Sequence, residues 1–273
     1  MTPFPEQSAE PHREGGALTP TEVERFVQDG YLPLRGVFSP QVAARCREIL
    51  YAEAGCSPQD PTSWQGPVVR LGGHHEPPFR EAASAPRLEA AFDDLVGPGR
   101  WHPLGGLGTF PIRFPHPEAP EDDGWHIDAG FASEDPSGPP RVNLWSRGRA
   151  LLLLVLLTEV GERDAPTRVR VSSHLRVPPR LRPAGAEGLS FLEVMEGLGP
   201  EVEELPEVTA TGAPGDVFLC HPFLVHRAQR HRGTAPRVIA QPPLVPREEG
   251  LTLEREDGAY SPVERAVRAG LAG

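Results

Sequence analysis

Apolar residues in the first third of the chain recur at helical spacing, and each run is bracketed by start and stop signals. Thr19 can cap a helix with Pro20 at its first position and Glu22 closing a capping box; Val23, Phe26 and Val27 form the stripe and Gly30 ends it. Ser39 and Pro40 open a second helix, in which Val42, Cys46, Ile49 and Leu50 fall at i, i+4, i+7 and i+8 before Gly55. This makes Cys46 a core residue. A third helix is predicted from Pro86 to Val96, with Leu88, Ala91, Phe92 and Leu95 on one face and Gly97-Pro98 as its stop.

From about Gly106 the pattern changes to short segments of strand character separated by Gly, Pro and charge: GTFPIRFP, WHID, VNLW, ALLLLVLL, RVRVS, EVTAT, DVFLC, FLVH and RVIAQ. Many short strands predict a mainly β fold, a barrel or jelly roll. The run Ala150 to Leu157 is apolar throughout, short and flanked by breakers, which favours a strand buried on both faces over a helix. A short helix is expected between Gly188 and Gly199. Another follows the capping box Ser261-Pro262-Val263-Glu264, with Val263, Val267 and Leu271 on one side. Residues 1–17, rich in Pro, Glu and Gly and without periodicity, read as a disordered leader; 18–273 read as a single domain.

Composition narrows the chemistry. All 27 Lys+Arg residues are arginine, which removes every mechanism that needs a lysine amine, including Schiff bases and phosphate-loop lysines. A formal net charge of −11 without a basic cluster argues against nucleic acid and points to a small-molecule partner. The three cysteines, Cys46, Cys56 and Cys220, have neither metal-type nor disulfide-framework spacing and fit a reducing compartment. The N-terminus lacks the apolar core of a signal peptide, and the longest apolar run is far short of the roughly 20 residues of a spanning helix. A cytoplasmic protein without membrane association is expected.

The candidate chemistry sits in GWHID, residues 124–128. On a strand, His126 and Asp128 share one face, and an imidazole with a carboxylate suits Fe(II), Mn or Zn. A second histidine would complete a two-histidine, one-carboxylate set that leaves coordination positions open. The segment 215–244 offers His221 and His226; five apart, they cannot both point inward from a regular strand. Arg237, eleven residues beyond His226, opens the apolar run RVIA. A buried arginine there would need an anion, which a dicarboxylate can supply.

The order GWHID, TRVRVSSHL, GDVFLCHPFLVH and then Arg237, together with the opening TPTEVERFVQDGYLPLRGVFS, resembles the phytanoyl-CoA dioxygenase family of Fe(II)- and 2-oxoglutarate-dependent oxygenases across residues 18 to 244. The resemblance implies a double-stranded β-helix (jelly-roll, cupin-like) domain with flanking α-helices. It also implies iron held by His126, Asp128 and His226, and Arg237 gripping the far carboxylate of the cosubstrate 2-oxoglutarate. The implied reaction uses O2, hydroxylates a small molecule and releases succinate and CO2. Where family members often carry a serine, an asparagine and a Pro-Gly-Ser-His turn, this chain has Ala228, His231 and Val171-Ser172-Ser173-His174.

The remaining candidates read as structural. His221 is expected to satisfy a backbone carbonyl, His174 to hold a turn, His74-His75-Glu76 to form a surface turn or lid, and His102, His116 and His231 to be solvated. Trp125 reads equally as a wall of the site or as a buried structural residue. Arg141, Arg147 and Arg149 read as solvated edge charges near the cavity mouth. No Gly-X-Ser-X-Gly or His-Glu-X-X-His occurs, Gly105-Gly106-Leu107-Gly108 lacks a dinucleotide fingerprint, and Cys220 and His221 would face opposite sides of a strand. Competing readings are a non-catalytic or differently metallated jelly-roll protein that binds a small acid, and a cupin-like isomerase using histidines as acid and base.

Overall fold

The computed structural model describes residues 16–273; all but the last two residues of the expected leader lie outside the described residues. Five helices form where the sequence predicts them. They are α1 (Pro20–Asp29), α2 (Pro40–Glu53), α4 (Pro86–Val96), α6 (Phe191–Glu203) and α7 (Pro262–Ala272). The Thr19, Ser190 and Ser261 hydroxyls each accept a backbone N–H three residues on, and the glutamate at that position reaches back, which closes three capping boxes. Helix α6 extends past Gly199, where φ 37 and Pro200 kink it. Two short helices, α3 (Pro77–Ala83) and α5 (Pro178–Leu181), were not expected; each starts at a proline and is too short to show a period.

Among the described residues, twelve strands follow in chain order: β1 (Tyr31–Leu34), β2 (Val68–Leu71), β3 (Phe110–Arg113), β4 (Arg141–Val142), β5 (Leu151–Leu156), β6 (Arg168–Arg170), β7 (Leu189–Ser190), β8 (Glu207–Thr209), β9 (Val217–Cys220), β10 (His226–Arg227), β11 (Ile239–Ala240) and β12 (Pro243–Leu244). All pairings are antiparallel. The larger sheet runs β1-β9-β5-β11, with β12 also on β5, and a smaller one runs β10-β6-β8. Pairs β2-β3 and β4-β7 complete the set. The strands are short, none above six residues, and the five long helices hold more residues than they do; a mainly β description therefore understates the helical part.

The apolar run around β5 explains how the layers join. Leu151, Leu153, Val155 and Leu157 pack into the core under the helices, whereas Leu152, Leu154 and Leu156 pack with Phe218, Cys220, Val169 and Leu224 between the two sheets. A strand covered on both faces has no polar position to alternate with, hence eight buried residues in sequence. Burying a leucine side chain contributes roughly 1.5–3 kcal/mol.

Some expected strands are turns. VNLW contributes only Val142 to β4 before the chain turns, FLVH contributes only His226 to β10, and WHID makes a single bridge at His126. Buried apolar side chains mark these segments, yet the backbone bends at the prolines, glycines and charges around them. No helix among the described residues is long and apolar enough to cross a membrane.

Candidate metal centre and its cavity

His126 and His226 lie on separate segments that meet at one antiparallel bridge. The His126 N–H donates to the His226 carbonyl at 3.0 Å and the His226 N–H to the His126 carbonyl at 2.9 Å. Their ring centroids are 4.4 Å apart. Two residues on, Asp128 places Oδ1 3.9 Å from His126 Nε2 and 3.8 Å from His226 Nε2. One ligand atom from each of the three residues lies within 4.8 Å of the others.

Hydrogen bonding fixes the ring that each histidine offers. Nδ1 of His126 lies 2.9 Å from the Gly124 carbonyl, and Nδ1 of His226 lies 3.0 Å from the Leu224 carbonyl. A carbonyl only accepts, so Nδ1 carries a proton in both rings, and in the neutral tautomer that this selects the lone pair is on Nε2. His226 Nε2 is buried and has no hydrogen-bond partner. A buried acceptor of this kind, converging with a second imidazole and a carboxylate, is the donor set of a divalent transition metal, so the residues present fit the ion.

Charge state agrees with that role. Burial above all, and then His126, push His226 down to about 4, against the opposing pull of Asp128. Burial raises the Asp128 carboxyl, but His226, Arg149 and His126 outweigh it and hold the group below the usual value. Neutral imidazoles and an ionised carboxylate are the metal-binding forms.

These residues open into a cavity of about 510 Å3 whose lining also includes Phe191, Ile239, Arg113 and Arg237. Arg237 is fully buried, and it stands beside Arg113 because the two residues exchange backbone hydrogen bonds, both at 2.9 Å. Arg113 donates to Asp122 at 2.6 Å, and Arg70 also pairs with Asp122. Arg237 Nε has no partner, and burial first, then the Arg113 charge, works against its charged form. A guanidinium does not give up its proton, and Asp122, which Arg113 holds directly, favours the Arg237 charge only from a distance, so Arg237 itself is left able to take an anion at the cavity wall.

The four expected site residues, His126, Asp128, His226 and Arg237, thus line one cavity. His221 is set apart from it, its Nε2 3.3 Å from the Val263 carbonyl, and His174 holds its turn through Nε2 to the Val27 carbonyl at 3.0 Å. Trp125 lines the cavity with its ring stacked by Arg168, Arg170 and Arg227 at 5.9, 4.5 and 4.7 Å.

Three expectations need correction. His74 is buried, not at the surface: its Nε2 lies 2.8 Å from Glu53 and its Nδ1 3.1 Å from Glu76, and its ring stacks on Phe79. His231 is buried as well, with Nδ1 accepting from the Gly233 N–H at 3.0 Å. Arg149 is not an edge charge; its guanidinium lies 3.3 Å from Asp128 Oδ2. Arg113 carried no sequence signal, because only the 113–237 bridge brings it to the site. For Arg149, the position at the mouth of β5 was the available hint.

The chain belongs to the phytanoyl-CoA dioxygenase family, whose model matches residues 26–239. No curated protein matches the sequence. Among solved structures, the chain is similar to the epimerase SnoN in complex with Fe3+, alpha ketoglutarate and nogalamycin RO, at 20% identity and a TM-score of 0.58 over 89% of this chain and 91% of that one. It is similar to EctD from S. alaskensis with bound Fe, at 22% identity and a TM-score of 0.56 over 86% and 78%. The carbocyclase SnoK from nogalamycin biosynthesis aligns at 21% identity and a TM-score of 0.54 over 82% and 84%. At these identities the likeness is one of fold.

Proposed function

We propose that residues 18–273 form one double-stranded β-helix domain and that the chain is an Fe(II)- and 2-oxoglutarate-dependent dioxygenase that hydroxylates a small molecule. The observation that carries this reading is the convergence of His126, Asp128 and His226 in the same cavity as the buried, anion-seeking Arg237. The family membership supports it, as do the iron and alpha ketoglutarate bound in the SnoN structure and the iron in EctD.

His126 Nε2, His226 Nε2 and one Asp128 oxygen hold the iron. The two Nδ1–H bonds to Gly124 and Leu224 keep both rings in the ligating tautomer. Arg237 binds the far carboxylate of 2-oxoglutarate, with Arg113 beside it adding positive charge. Bound iron, 2-oxoglutarate and O2 supply the oxidising chemistry that breaks an unactivated C–H bond, with succinate and CO2 released. Phe191, whose ring stands edge-on to His126 at 6.4 Å, and Ile239 present apolar surface that limits water near the reacting centre. Because the third ligand is a carboxylate and not a small residue, no position is given up to a halide, so hydroxylation is the proposed outcome.

The test is an anaerobic titration of metal-free protein with Fe(II) and then 2-oxoglutarate. The expected result is a weak visible charge-transfer band that disappears on admitting O2 as succinate forms. Metal uptake without the band, or no uptake, would overturn the reading.

A further inference from the structure

The two carboxylate oxygens of Asp128 have different surroundings. Oδ1 faces both histidine Nε2 atoms, at 3.9 and 3.8 Å, whereas Oδ2 faces the Arg149 guanidinium at 3.3 Å. Asp128 and Ala129 line the cavity, whereas Arg149 is not among its lining residues. Its NH2 also donates to the Ala129 carbonyl at 3.4 Å, on the backbone that follows the carboxylate.

The Arg149 backbone is itself fixed. The chain turns tightly at Ser146 (φ 49) and Gly148 (φ 82). The Ser146 hydroxyl donates to the Arg149 carbonyl at 2.7 Å, the Arg149 N–H donates to the Ser146 carbonyl at 3.1 Å, and the next residue, Ala150, is tied to Leu244 at 2.7 Å at the start of the buried strand β5. The guanidinium is mostly buried, yet its Nε and NH1 have no hydrogen-bond partner within the protein. A charge kept in such a place against its desolvation cost acts on what lies next to it, which is Oδ2.

We propose that Arg149 is a positioning residue that holds Asp128 as a one-oxygen metal ligand. Its charge, 3.3 Å from Oδ2, draws that oxygen away from the metal side, so the carboxylate does not turn to chelate through both oxygens and a coordination position that 2-oxoglutarate needs is preserved. The inference rests on the metal reading above and adds to it a control of how many positions the protein itself consumes.

The test uses the full chain as wild type, Arg149→Gln and Arg149→Lys. Glutamine keeps an amide donor for the Ala129 carbonyl but removes the charge; lysine keeps the charge without the fork. Metal-free protein is titrated with Co(II), whose ligand-field spectrum reports coordination number, and then with 2-oxoglutarate under nitrogen, with melting temperature recorded in parallel. The expected result is a Co(II) spectrum altered in Arg149→Gln before any 2-oxoglutarate is added, an affinity for 2-oxoglutarate about tenfold weaker, and partial recovery of both in Arg149→Lys. An unchanged spectrum with unchanged 2-oxoglutarate affinity, whatever the melting temperature, overturns the proposal and leaves Arg149 as a strut for the Ala129 carbonyl. Should Arg149→Gln fail to fold, Arg149→Met takes its place as the uncharged variant: a shift in the same direction supports the proposal, and identity with wild type overturns it. Wild-type protein that takes up no Co(II) removes the metal reading and this inference together, whereas wild-type uptake with an indifferent variant removes only the inference.

Discussion

His126 and His226, 100 residues apart in sequence, exchange both backbone hydrogen bonds of a single antiparallel bridge. Arg113 and Arg237 do the same. Two bridges thus set the cavity's chemistry, one aligning the metal-facing rings and the other doubling the positive charge.

Replacing Asp128 with alanine removes the only carboxylate of the cluster. Fe(II) affinity measured by anaerobic calorimetry is expected to fall at least 100-fold, with succinate formation lost and the far-ultraviolet circular dichroism retained. Unchanged turnover in this variant would eliminate the three-residue site.

Arg237→Leu deletes a buried cation whose Nε has no hydrogen-bond partner in the ligand-free protein and which Asp122 favours only from a distance. Its melting temperature without ligand should hold or rise, because the charge costs desolvation energy until an anion arrives. Affinity for 2-oxoglutarate should fall by about 2 kcal/mol, roughly 30-fold, the scale of a charge-assisted pair. If 2-oxoglutarate stabilises the variant as much as wild type, another group grips it.

Acid should destabilise the fold through the neighbouring buried pair His174 and His221, whose ring centroids are 4.8 Å apart. Burial pushes His174 down from 6.5 to about 4, and burial followed by the neighbouring His174 pushes His221 well below its usual value. The unfolded chain takes up protons that the fold refuses, so stability is full above pH 6.5 and declines as pH falls toward 4, by about 3 kcal/mol for His174. Urea midpoints between pH 7 and 4.5 check this; His174→Gln, which can still donate to Val27, should flatten the decline.

Leu154→Ala leaves a cavity between the two sheets, where Leu154 packs in the cluster containing Phe218 and Ile239. A loss of about 2–5 kcal/mol is expected from urea denaturation. A loss below 1 kcal/mol would mean the two sheets do not enclose a packed core there.

The helices with caps were legible because each carries its start signal within four residues, as at Thr19-Pro20-Thr21-Glu22 and Ser261-Pro262-Val263-Glu264. The strand at Ala150–Leu157 was legible because burial on both faces leaves no polar residue in it. Strands β1, β2 and β12 were not, since four residues or fewer give too little alternation to read, and each depends on a distant partner: β1 on β9, β2 on β3, β12 on β5.

The sequence by itself determined which residue types are present and in what order: a histidine and an aspartate two apart, a later histidine and an arginine eleven beyond it, in a chain without lysine. Tertiary structure decided which groups act on them. Arg149 lies 21 residues from Asp128 and Arg113 lies 124 from Arg237, and neither separation matches a helical or strand period. Their roles arise from where β5 starts and where β3 ends, because a guanidinium matters electrostatically only at the few ångströms that a tight turn or a backbone bridge imposes.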